Sequence, residues 1–270
     1  CRYVRSGRTL STAPLMQDLT LSAWGFGQGL RAFVQLRGRT GLGEDAELWP
    51  GADDPFDVLV AYLELDRPRF RVRAGRQWKV SGLGYYNWDG ASALWRATPA
   101  LHVEVFGGWS LARGLNEPLT GEALEAVEAF APDVRAILLG AQAGWRPTPL
   151  AALSALYQRE IRDDRYGLYA ERFALDGSLR RGRLRVEGAL EVDVALREVD
   201  DARLRAGISL PRDLGVELFA RRYRPYFELW TIWGAFDPVG FTEVGTTLAW
   251  RPHNWPIALS VDVARRGYPD

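Results

Sequence analysis

Arginine recurs at every second residue in the segment RFRVRAG, where Arg69, Arg71 and Arg73 alternate with Phe70 and Val72. Successive side chains of a β-strand point to opposite faces, so the three guanidinium groups share one face. A row of cations in a confined space of low dielectric attracts anions. We therefore predict either an anion-attracting ladder or arginines that pair with carboxylates of neighbouring strands and stiffen the sheet.

The same period of two runs through most of the chain. The longest example is RLRVEGALEVDVALR (183–197), with charged residues at odd positions and mostly aliphatic residues at even ones. Similar alternation occurs in 31–39, 59–66 and 101–105. In each of these segments the polar residues occupy alternate positions, which predicts one common polar face. Its members are Arg31, Arg37, Arg39, Glu64, Asp66, Arg69, Arg71, Arg73, His102, Glu104, Arg183, Arg185, Glu187, Glu191 and Asp193.

Catalytic chemistry has weak support among these residues. His102 and Glu104 share one parity and could form a general acid–base pair, but a solvated pair on the strand is the better interpretation. The other histidine is His253, so a histidine-rich metal site is excluded. Ser154 and Ser260 have no histidine nearby in the sequence. We predict that the chain is not an enzyme and binds no cofactor.

The acidic segment EDAELWPGADD (44–54) could form a calcium site through Glu44, Asp45, Asp53 and Asp54. Calcium takes oxygen ligands, but the spacing of these carboxylates differs from that of a defined calcium loop. A solvated loop is the better interpretation, and we predict no metal site.

Composition excludes several classes of protein. The chain of 270 residues has 34 Lys plus Arg against 34 Asp plus Glu, so no net field favours nucleic acid. The single cysteine, Cys1, cannot form an internal disulfide. It is either the lipidated first residue of a lipoprotein or a fragment boundary. No run of 18 apolar residues is present, which excludes a transmembrane helix.

The elements that must position the polar face are long strands. Many of them have about 10 to 15 residues, whereas the strands of a soluble sandwich average about five or six. Crossing a bilayer takes about 9–11 tilted residues per strand, with apolar side chains toward lipid and polar ones toward the lumen. A soluble β-sandwich or β-barrel that binds a ligand is the alternative without a membrane.

Short and long connections alternate along the chain, which is typical of outer-membrane barrels. Short turns are predicted at 66–69, 97–100, 146–149, 175–182, 210–213 and 251–255, and longer connections at 41–55, 79–90, 113–132, 198–201 and 233–240. We therefore predict an all-β fold, a transmembrane antiparallel up-and-down β-barrel of about 14 strands with short periplasmic turns and long extracellular loops.

We divide the chain into an N-terminal extension, 1–17, and a barrel, 18–270. The segment 18–40 is one long strand or two, because its parity changes around the glycines of GFGQG (25–29). Bacterial barrels normally have an even number of strands. A closing strand is therefore either missing or supplied by this first segment. One helical pattern, GEALEAVEAF (121–130), interrupts the longest loop.

Tryptophan and tyrosine lie near the connections, as expected of rings that favour a membrane interface. The alternative is that they are ordinary core residues. One group lies near a long connection and consists of Trp78, Tyr85, Tyr86 and Trp88. The other group lies beside short turns and consists of Trp95, Trp145, Trp250 and Trp255.

A stretch within 72–110 carries the motifs Gly75-Arg76-Gln77, Trp88-Asp89-Gly90 and Gly107-Gly108-Trp109. In these motifs the stretch resembles bacterial outer-membrane porins of the alginate-export type. In that family, arginines and acids of the lumen shape a channel for anionic sugars. The resemblance therefore implies pore-lining roles for Arg76, Gln77 and Asp89. Arg76 has the opposite parity to Arg73, so a place in the lumen requires a β-bulge.

Together these patterns predict a porin-like channel of the bacterial outer membrane for passive diffusion of small hydrophilic or anionic solutes. Its partners would be the lipid bilayer and those solutes, with no nucleic acid. The alternative is a non-conducting barrel that anchors or scaffolds a partner protein at the cell surface, and a barrel-borne hydrolase is the enzymatic alternative. The sequence leaves open the solute, any protein partner and any homo-oligomer.

Overall fold

The computed structural model describes residues 2–5, 8–27, 29–43, 56–111, 136–162, 168–224, 239–252 and 256–268. These residues form one antiparallel sheet of fifteen strands. The strands are β1 (Arg2–Arg5), β2 (Arg8–Trp24), β3 (Leu30–Gly43), β4 (Phe56–Asp66), β5 (Phe70–Ser81), β6 (Gly84–Arg96), β7 (Leu101–Ser110), β8 (Ala136–Thr148), β9 (Ala151–Arg162), β10 (Leu168–Arg181), β11 (Leu184–Asp193), β12 (Glu198–Leu210), β13 (Leu214–Tyr223), β14 (Phe241–Trp250) and β15 (Leu259–Gly267).

Each strand pairs with the strands before and after it in the chain, so the topology is up-and-down. Strand β1 has 4 residues, whereas β2 to β15 have between 9 and 17. The predicted all-β, up-and-down architecture of about 14 strands is confirmed. Within the described residues the strand order runs from β1 to β15, with no ladder between those two strands. No helix in this part of the chain is long and apolar enough to span a membrane.

Side-chain burial is inverted relative to a soluble protein. Glu64 on β4 is 5% exposed, whereas its neighbour Leu63, which points the other way, is 58% exposed. Because large apolar side chains are normally buried and carboxylates exposed, this contrast is opposite to the usual pattern. We call the side with Glu64 the polar face and the side with Leu63 the apolar face. Other exposed members of the apolar face are Val72, Trp95, Val105, Leu139, Leu153, Leu204, Leu218, Leu248 and Val263.

The sheet curves toward the polar face. Arg172 Nη1 on β10 donates a hydrogen bond of 3.0 Å to the carbonyl oxygen of Leu83, which lies between β5 and β6. In a flat sheet β6 and β10 would be about 19 Å apart, at about 4.8 Å per strand. An arginine side chain cannot reach that far, so curvature brings the two strands together and encloses the polar face.

The strand ends define two edges of the sheet. The short-turn edge carries the connections 25–29, 67–69, 97–100, 149–150, 182–183, 211–213 and 251–258. The long-loop edge carries 44–55, 82–83, 111–135, 163–167, 194–197 and 224–240. The predicted alternation of short and long connections is seen, with two corrections on the long-loop edge.

The first correction concerns 79–90, which was predicted as a long connection. This stretch instead contains the end of β5, a tight turn and the start of β6. The Ser81 hydroxyl accepts a hydrogen bond of 3.2 Å from the backbone N–H of Leu83, and Gly84 has a φ of 109°. Glycine adopts this backbone region without the strain that a Cβ would cause, so the chain can reverse here within a few residues.

The second correction concerns 183–197, which was predicted as one long strand. Strand β11 ends at Asp193 because the Asp193 carboxylate accepts a hydrogen bond of 2.8 Å from the backbone N–H of Leu196. Arg197 follows with a φ of 59°, and the chain turns into β12. The predicted connection 198–201 therefore lies within β12.

The segment 18–40 forms parts of two strands, which was one of the two predicted outcomes. Strands β2 and β3 meet around Gly25, Gly27 and Gly29, whose φ values are 95°, 129° and 77°. Strand β2 begins at Arg8, so part of the expected extension 1–17 pairs with β3, from Thr12 opposite Gly43 onward. Alternation is weak in this stretch, which explains why the pattern placed the strand start later.

Several predictions fall on residues outside the described ranges. They are the helix at 121–130, the acidic segment 44–54, His253 and Trp255. These remain predictions.

Candidate functional site

The enclosed polar face is the candidate functional site. One of its cavities, of about 760 Å³, lies between β7 and β12 toward the short-turn edge and is bordered by residues such as His102, Gln142, Asp176, Arg203 and Arg205. A second, of about 720 Å³, is bordered by Arg69, Arg71, Arg96, His102 and Glu104. A third, of about 480 Å³, is bordered by Arg31, Phe33, Tyr62, Glu64 and Arg73.

Glu64 is the centre of the charges on β3, β4 and β5. The strand registers place Arg31 and Arg73 directly opposite it on its two sides. Arg73 Nε donates to Glu64 Oε2 at 2.6 Å, and Arg31 Nη1 lies 3.8 Å from Oε1. Arg71 Nε is 4.0 Å from Oε2. One buried carboxylate therefore faces three predicted arginines, so the ladder retains a local excess of positive charge.

The ladder continues toward the short-turn edge through Arg69 and through Arg96, a residue that the sequence pattern missed. Arg96 Nη1 and Nη2 each lie 3.1 Å from Asp66 Oδ1, and Nη1 also donates to the carbonyl oxygen of Arg67 at 2.7 Å. Among the described residues no carboxylate forms an ion pair with Arg69. The second cavity thus has basic walls.

His102 and Glu104 do share the polar face, as their parity predicts, but Glu104 is paired with a different residue. Lys79 Nζ on β5 donates to Glu104 Oε2 at 2.6 Å, and both side chains are mostly buried. The carboxylate is therefore held by an ammonium group rather than oriented toward the imidazole. The predicted solvated wall pair is in fact a buried Lys–Glu pair beside a histidine.

Charges of alternating sign continue across β10 to β13. Arg172 Nη2 lies 3.6 Å from Glu191 Oε2 and 3.7 Å from Asp200 Oδ2. Arg203 lies 3.5 Å from Glu191 and 3.4 Å from Asp201, which also accepts two hydrogen bonds from Arg221 at 2.8 and 3.1 Å. Of these six residues the alternation pattern indicated Glu191. Asp200 and Asp201 were predicted to lie in a connection but are part of β12, and no charged face was predicted for the strands that carry Arg172, Arg203 and Arg221.

The remaining predicted residues lie on or beside the same face. Arg37 donates to both carboxylate oxygens of Asp18, at 2.7 and 3.0 Å. Gln77 accepts a hydrogen bond of 2.8 Å from the Ser92 hydroxyl and is buried. Arg185 pairs with Glu187 two residues along β11, Arg183 lies in the turn before β11, and Asp193 closes the turn after it. Arg39 lies in β3, and its side chain is outside the described part.

Arg76 and Asp89, which the family resemblance places in the lumen, lie on the apolar face. They are directly opposite each other on β5 and β6, and Arg76 Nε and Nη2 donate to Asp89 Oδ1 and Oδ2 at 2.8 Å each. Arg76 also donates to the carbonyl oxygen of Val58 at 2.8 Å. The ladder continues through Gly75 without a register shift, so no bulge moves Arg76 to the polar face.

An apolar cluster covers part of the polar face. Its buried members, contributed by β6 to β10 and by the turn before β6, are Leu83, Trp88, Phe106, Leu138, Leu156 and Ala174, with Tyr86 packed against them. Tyr86 and Trp88 are at even positions of β6, and these positions point to the polar face. Their predicted place in an interfacial belt is therefore wrong. Trp78, Trp95, Trp145 and Trp250 are exposed on the apolar face, as predicted.

The turn Ser81–Gly84, which we call the inner turn, lies over this cluster. Leu83 is 4% exposed, and its carbonyl oxygen accepts hydrogen bonds from Arg172 and from the Tyr86 hydroxyl. A methyl group added at Gly82 would lie 3.5 Å from Asp176 Oδ2 and 4.0 Å from Glu191 Oε1. The inner turn thus spans the enclosed space from β5–β6 to β10–β11.

The chain matches no known family model and no curated protein. Among solved structures, it is similar to the anion-selective porin from Comamonas acidovorans, at 15% identity and a TM-score of 0.46, over 98% of this chain and 84% of that chain. It is also similar to Salmonella typhi OmpF in its complex with daunomycin, at 10% identity and a TM-score of 0.42, over 97% and 85% of the two chains.

A BenF-like porin from Pseudomonas fluorescens Pf-5 has 12% identity and a TM-score of 0.36, over 96% of this chain and 87% of that one. None of these three structures is described as an alginate-export porin, so the comparisons do not support that finer resemblance.

Proposed function

We propose that this protein is a channel of the bacterial outer membrane that lets small hydrophilic solutes, with a preference for anions, diffuse passively. The observation that carries the proposal is the inverted burial of the two faces. Exposed aliphatic and aromatic side chains suit lipid, whereas an enclosed face of charged side chains suits a water-filled path.

The dimensions of the apolar face fit a bilayer. Phe70 and Trp78 are exposed aromatic residues of this face near the two ends of β5. They are eight positions apart, which is about 26 Å along a strand and about 20 Å across the membrane at a tilt of about 40°. Trp95 and Trp145 lie at the same end as Phe70, and Trp109 lies at the end of Trp78. This spacing is close to the apolar band of outer-membrane barrels, which is about 25 Å tall.

The preference for anions rests on the basic cavity near the short-turn edge. Arg69, Arg71 and Arg96 border it, and of these Arg96 is paired with Asp66 while Arg71 is 4.0 Å from Glu64. In a space of low dielectric, the excess positive charge favours the entry of anions. The motif resemblance within 72–110 adds anionic sugars as the solutes to examine first, although the family's residues Arg76 and Asp89 lie on the apolar face.

Conductance after insertion of the purified protein into a planar bilayer tests the proposal. We expect stepwise openings and, in a KCl gradient, a reversal potential of the sign that chloride selectivity gives. The variant R69Q/R71Q is expected to shift that potential toward the non-selective value. The control R159Q removes an arginine that lies on the apolar face, opposite Leu139 and Glu171, and is expected to leave the potential unchanged. A protein that folds and inserts into the bilayer but shows no conductance steps would contradict the proposal that it is a channel.

A non-conducting barrel that anchors a partner protein is the second candidate, and the inner turn favours it. The inner turn and the apolar cluster fill part of the enclosed space at β6 to β10. If the rest of the space is closed as well, the barrel would insert but carry no current. The bilayer measurement therefore separates the two candidates directly.

A further inference from the structure

The apolar face is not uniformly apolar. Apart from Arg181, the last residue of β10, its charged residues with described side chains lie in the half of each strand nearer the long-loop edge. They are Arg76, Asp89, Arg159, Glu171, Arg222 and Arg265. Charged side chains facing lipid are tolerated best near the membrane surface, so those closest to the long-loop edge suit the headgroup region.

Four of the six charges form two opposed pairs. Arg76 faces Asp89 across β5 and β6, with two hydrogen bonds of 2.8 Å. Arg159 faces Glu171 across β9 and β10, and the Tyr157 hydroxyl donates to Glu171. Each arginine of these pairs therefore has a carboxylate directly opposite, and both sites are neutral.

Arg222 and Arg265 differ from these arginines. They lie on the two strands beside β14, and the residue opposite each of them is not a carboxylate. Arg222 lies opposite Thr242, and Arg265 lies opposite Val244. Both arginines and Thr242 are exposed. No carboxylate of the described residues forms an ion pair with either arginine. We call Arg222, Thr242 and Arg265 the outer basic patch.

The geometry of the outer basic patch fits a phosphate. Two strand spacings and an offset of two residues place the Cα atoms of the arginines about 12 Å apart. Each extended arginine side chain spans about half of that distance, so both guanidinium groups can reach one headgroup above β14. Arginine binds phosphate oxygens in pairs, and the Thr242 hydroxyl can donate a further hydrogen bond.

We propose that the outer basic patch binds the phosphate of an anionic lipid headgroup in the leaflet at the long-loop edge. The inference rests on the proposed membrane position of the apolar face and adds the class of lipid that this side of the sheet recognises. Val244 and Val263, both exposed beside the patch, would contact the acyl chains of the same lipid.

Native mass spectrometry of the detergent-purified protein tests the patch, with dioleoyl phosphatidylglycerol and dioleoyl phosphatidylcholine as probes. We expect the wild-type chain to retain the anionic lipid about tenfold better than the zwitterionic one. The variant R222Q/R265Q is expected to retain both alike. The control R185Q/R205Q removes the same charge from the polar face and is expected to keep the preference.

The outcomes separate this inference from the proposed function. Flotation with phosphatidylcholine vesicles reports insertion for every variant. A wild-type chain that does not insert would overturn the membrane position, and the inference with it. Three results for a chain that inserts would overturn the outer basic patch alone. They are the absence of any lipid preference, a preference that R222Q/R265Q keeps, and a preference that the control loses. A dimer that dissociates in R222Q/R265Q, without lipid preference, would assign the patch to a second copy and also overturn the proposal.

Discussion

Two kinds of sector on one polar face differ in what fills them. Around Glu64, on β3 to β5, and across β10 to β13, charged side chains face one another and leave cavities between them. On β6 to β10, the same face carries Trp88, Phe106 and Leu138, and the inner turn covers them. We call these the charged sectors and the covered sector. The odd or even position of a residue in its strand thus decides which side of the sheet its side chain faces. It does not decide whether water or protein covers that side chain.

Glycine makes the covered sector possible. The Phe106 ring lies over Gly140 on the adjacent strand, where an added Cβ would be 2.1 Å from Phe106 Cζ. The ring also lies 5.1 Å, centroid to centroid, from the Trp88 ring. With glycine as the neighbour, the phenyl ring can lie against the sheet and form a floor on which Leu83 packs. The charged sectors have long side chains where the covered sector has rings and glycines.

The largest effect is expected at the contact between the two sectors. Arg172 binds Leu83 in the covered sector and faces Glu191 and Asp200 in a charged one. In R172M the buried Asp200 carboxylate loses its cation and Glu191 keeps only Arg203, and breaking a buried pair costs about 3–5 kcal/mol. We expect that loss in the free energy of unfolding, measured by urea titration in detergent micelles with tryptophan fluorescence. Arg185 and Glu187 form an exposed pair, so R185M is the control. We expect it to lower the free energy of unfolding by less than about 1 kcal/mol.

The next effect is expected from releasing the inner turn. L83A removes a buried side chain from the apolar cluster, which costs about 2–4 kcal/mol in the free energy of unfolding. Because the turn is then held by fewer contacts, we also expect a higher single-channel conductance. L153A, on the exposed apolar face, is the control that should leave conductance unchanged. Equal conductance in L83A and wild type would show that the inner turn does not limit the path.

A smaller effect on stability, with a clear effect on selectivity, is expected at Glu64. E64Q removes the carboxylate that Arg73 binds at 2.6 Å, and the lost charged hydrogen bond is worth about 1.5–3 kcal/mol. The arginines then carry more uncompensated charge, so the reversal potential should move further toward chloride selectivity. In E217Q, whose partner Arg205 is 4.0 Å away, we expect a smaller shift. A shift toward cations in E64Q would contradict the anion preference.

The smallest effect is expected at the pair of Arg37 and Asp18. Both side chains are partly exposed, although Arg37 donates two hydrogen bonds. Exposed ion pairs contribute about 0–1 kcal/mol, so R37Q should change the free energy of unfolding by less than about 1 kcal/mol. A loss comparable to that of R172M would mean that this end of the sheet is as enclosed as the covered sector.

Much of the polar face could be predicted from the sequence because a strand alternates its side chains strictly. Arg31, Arg73, Glu104, Glu187 and Glu191 lie on the face that their parity indicates. The alternation failed where the chain turned. Asp193 ended β11 by capping a turn, and Asp200 and Asp201, predicted to lie in the connection 198–201, are part of β12.

The carry-over from a resembling motif was less reliable than parity. Arg76 has the wrong parity for the polar face, and the structure places it with Asp89 on the apolar face. Trp88 was assigned to a membrane interface by its residue type, yet it is 3% exposed inside the covered sector. Residue type alone did not indicate its side of the sheet, whereas its even position in β6 did.

The sequence by itself determined the class of fold and the two faces, because period two is a local property of each strand and needs no knowledge of its neighbours. Only the tertiary structure decided which charges meet. Arg172 reaches Leu83, 89 residues away along the chain, because the sheet curves. Curvature and register arise from all the strands together, so no single segment encodes the inner turn's position or the missing acid opposite Arg222 and Arg265.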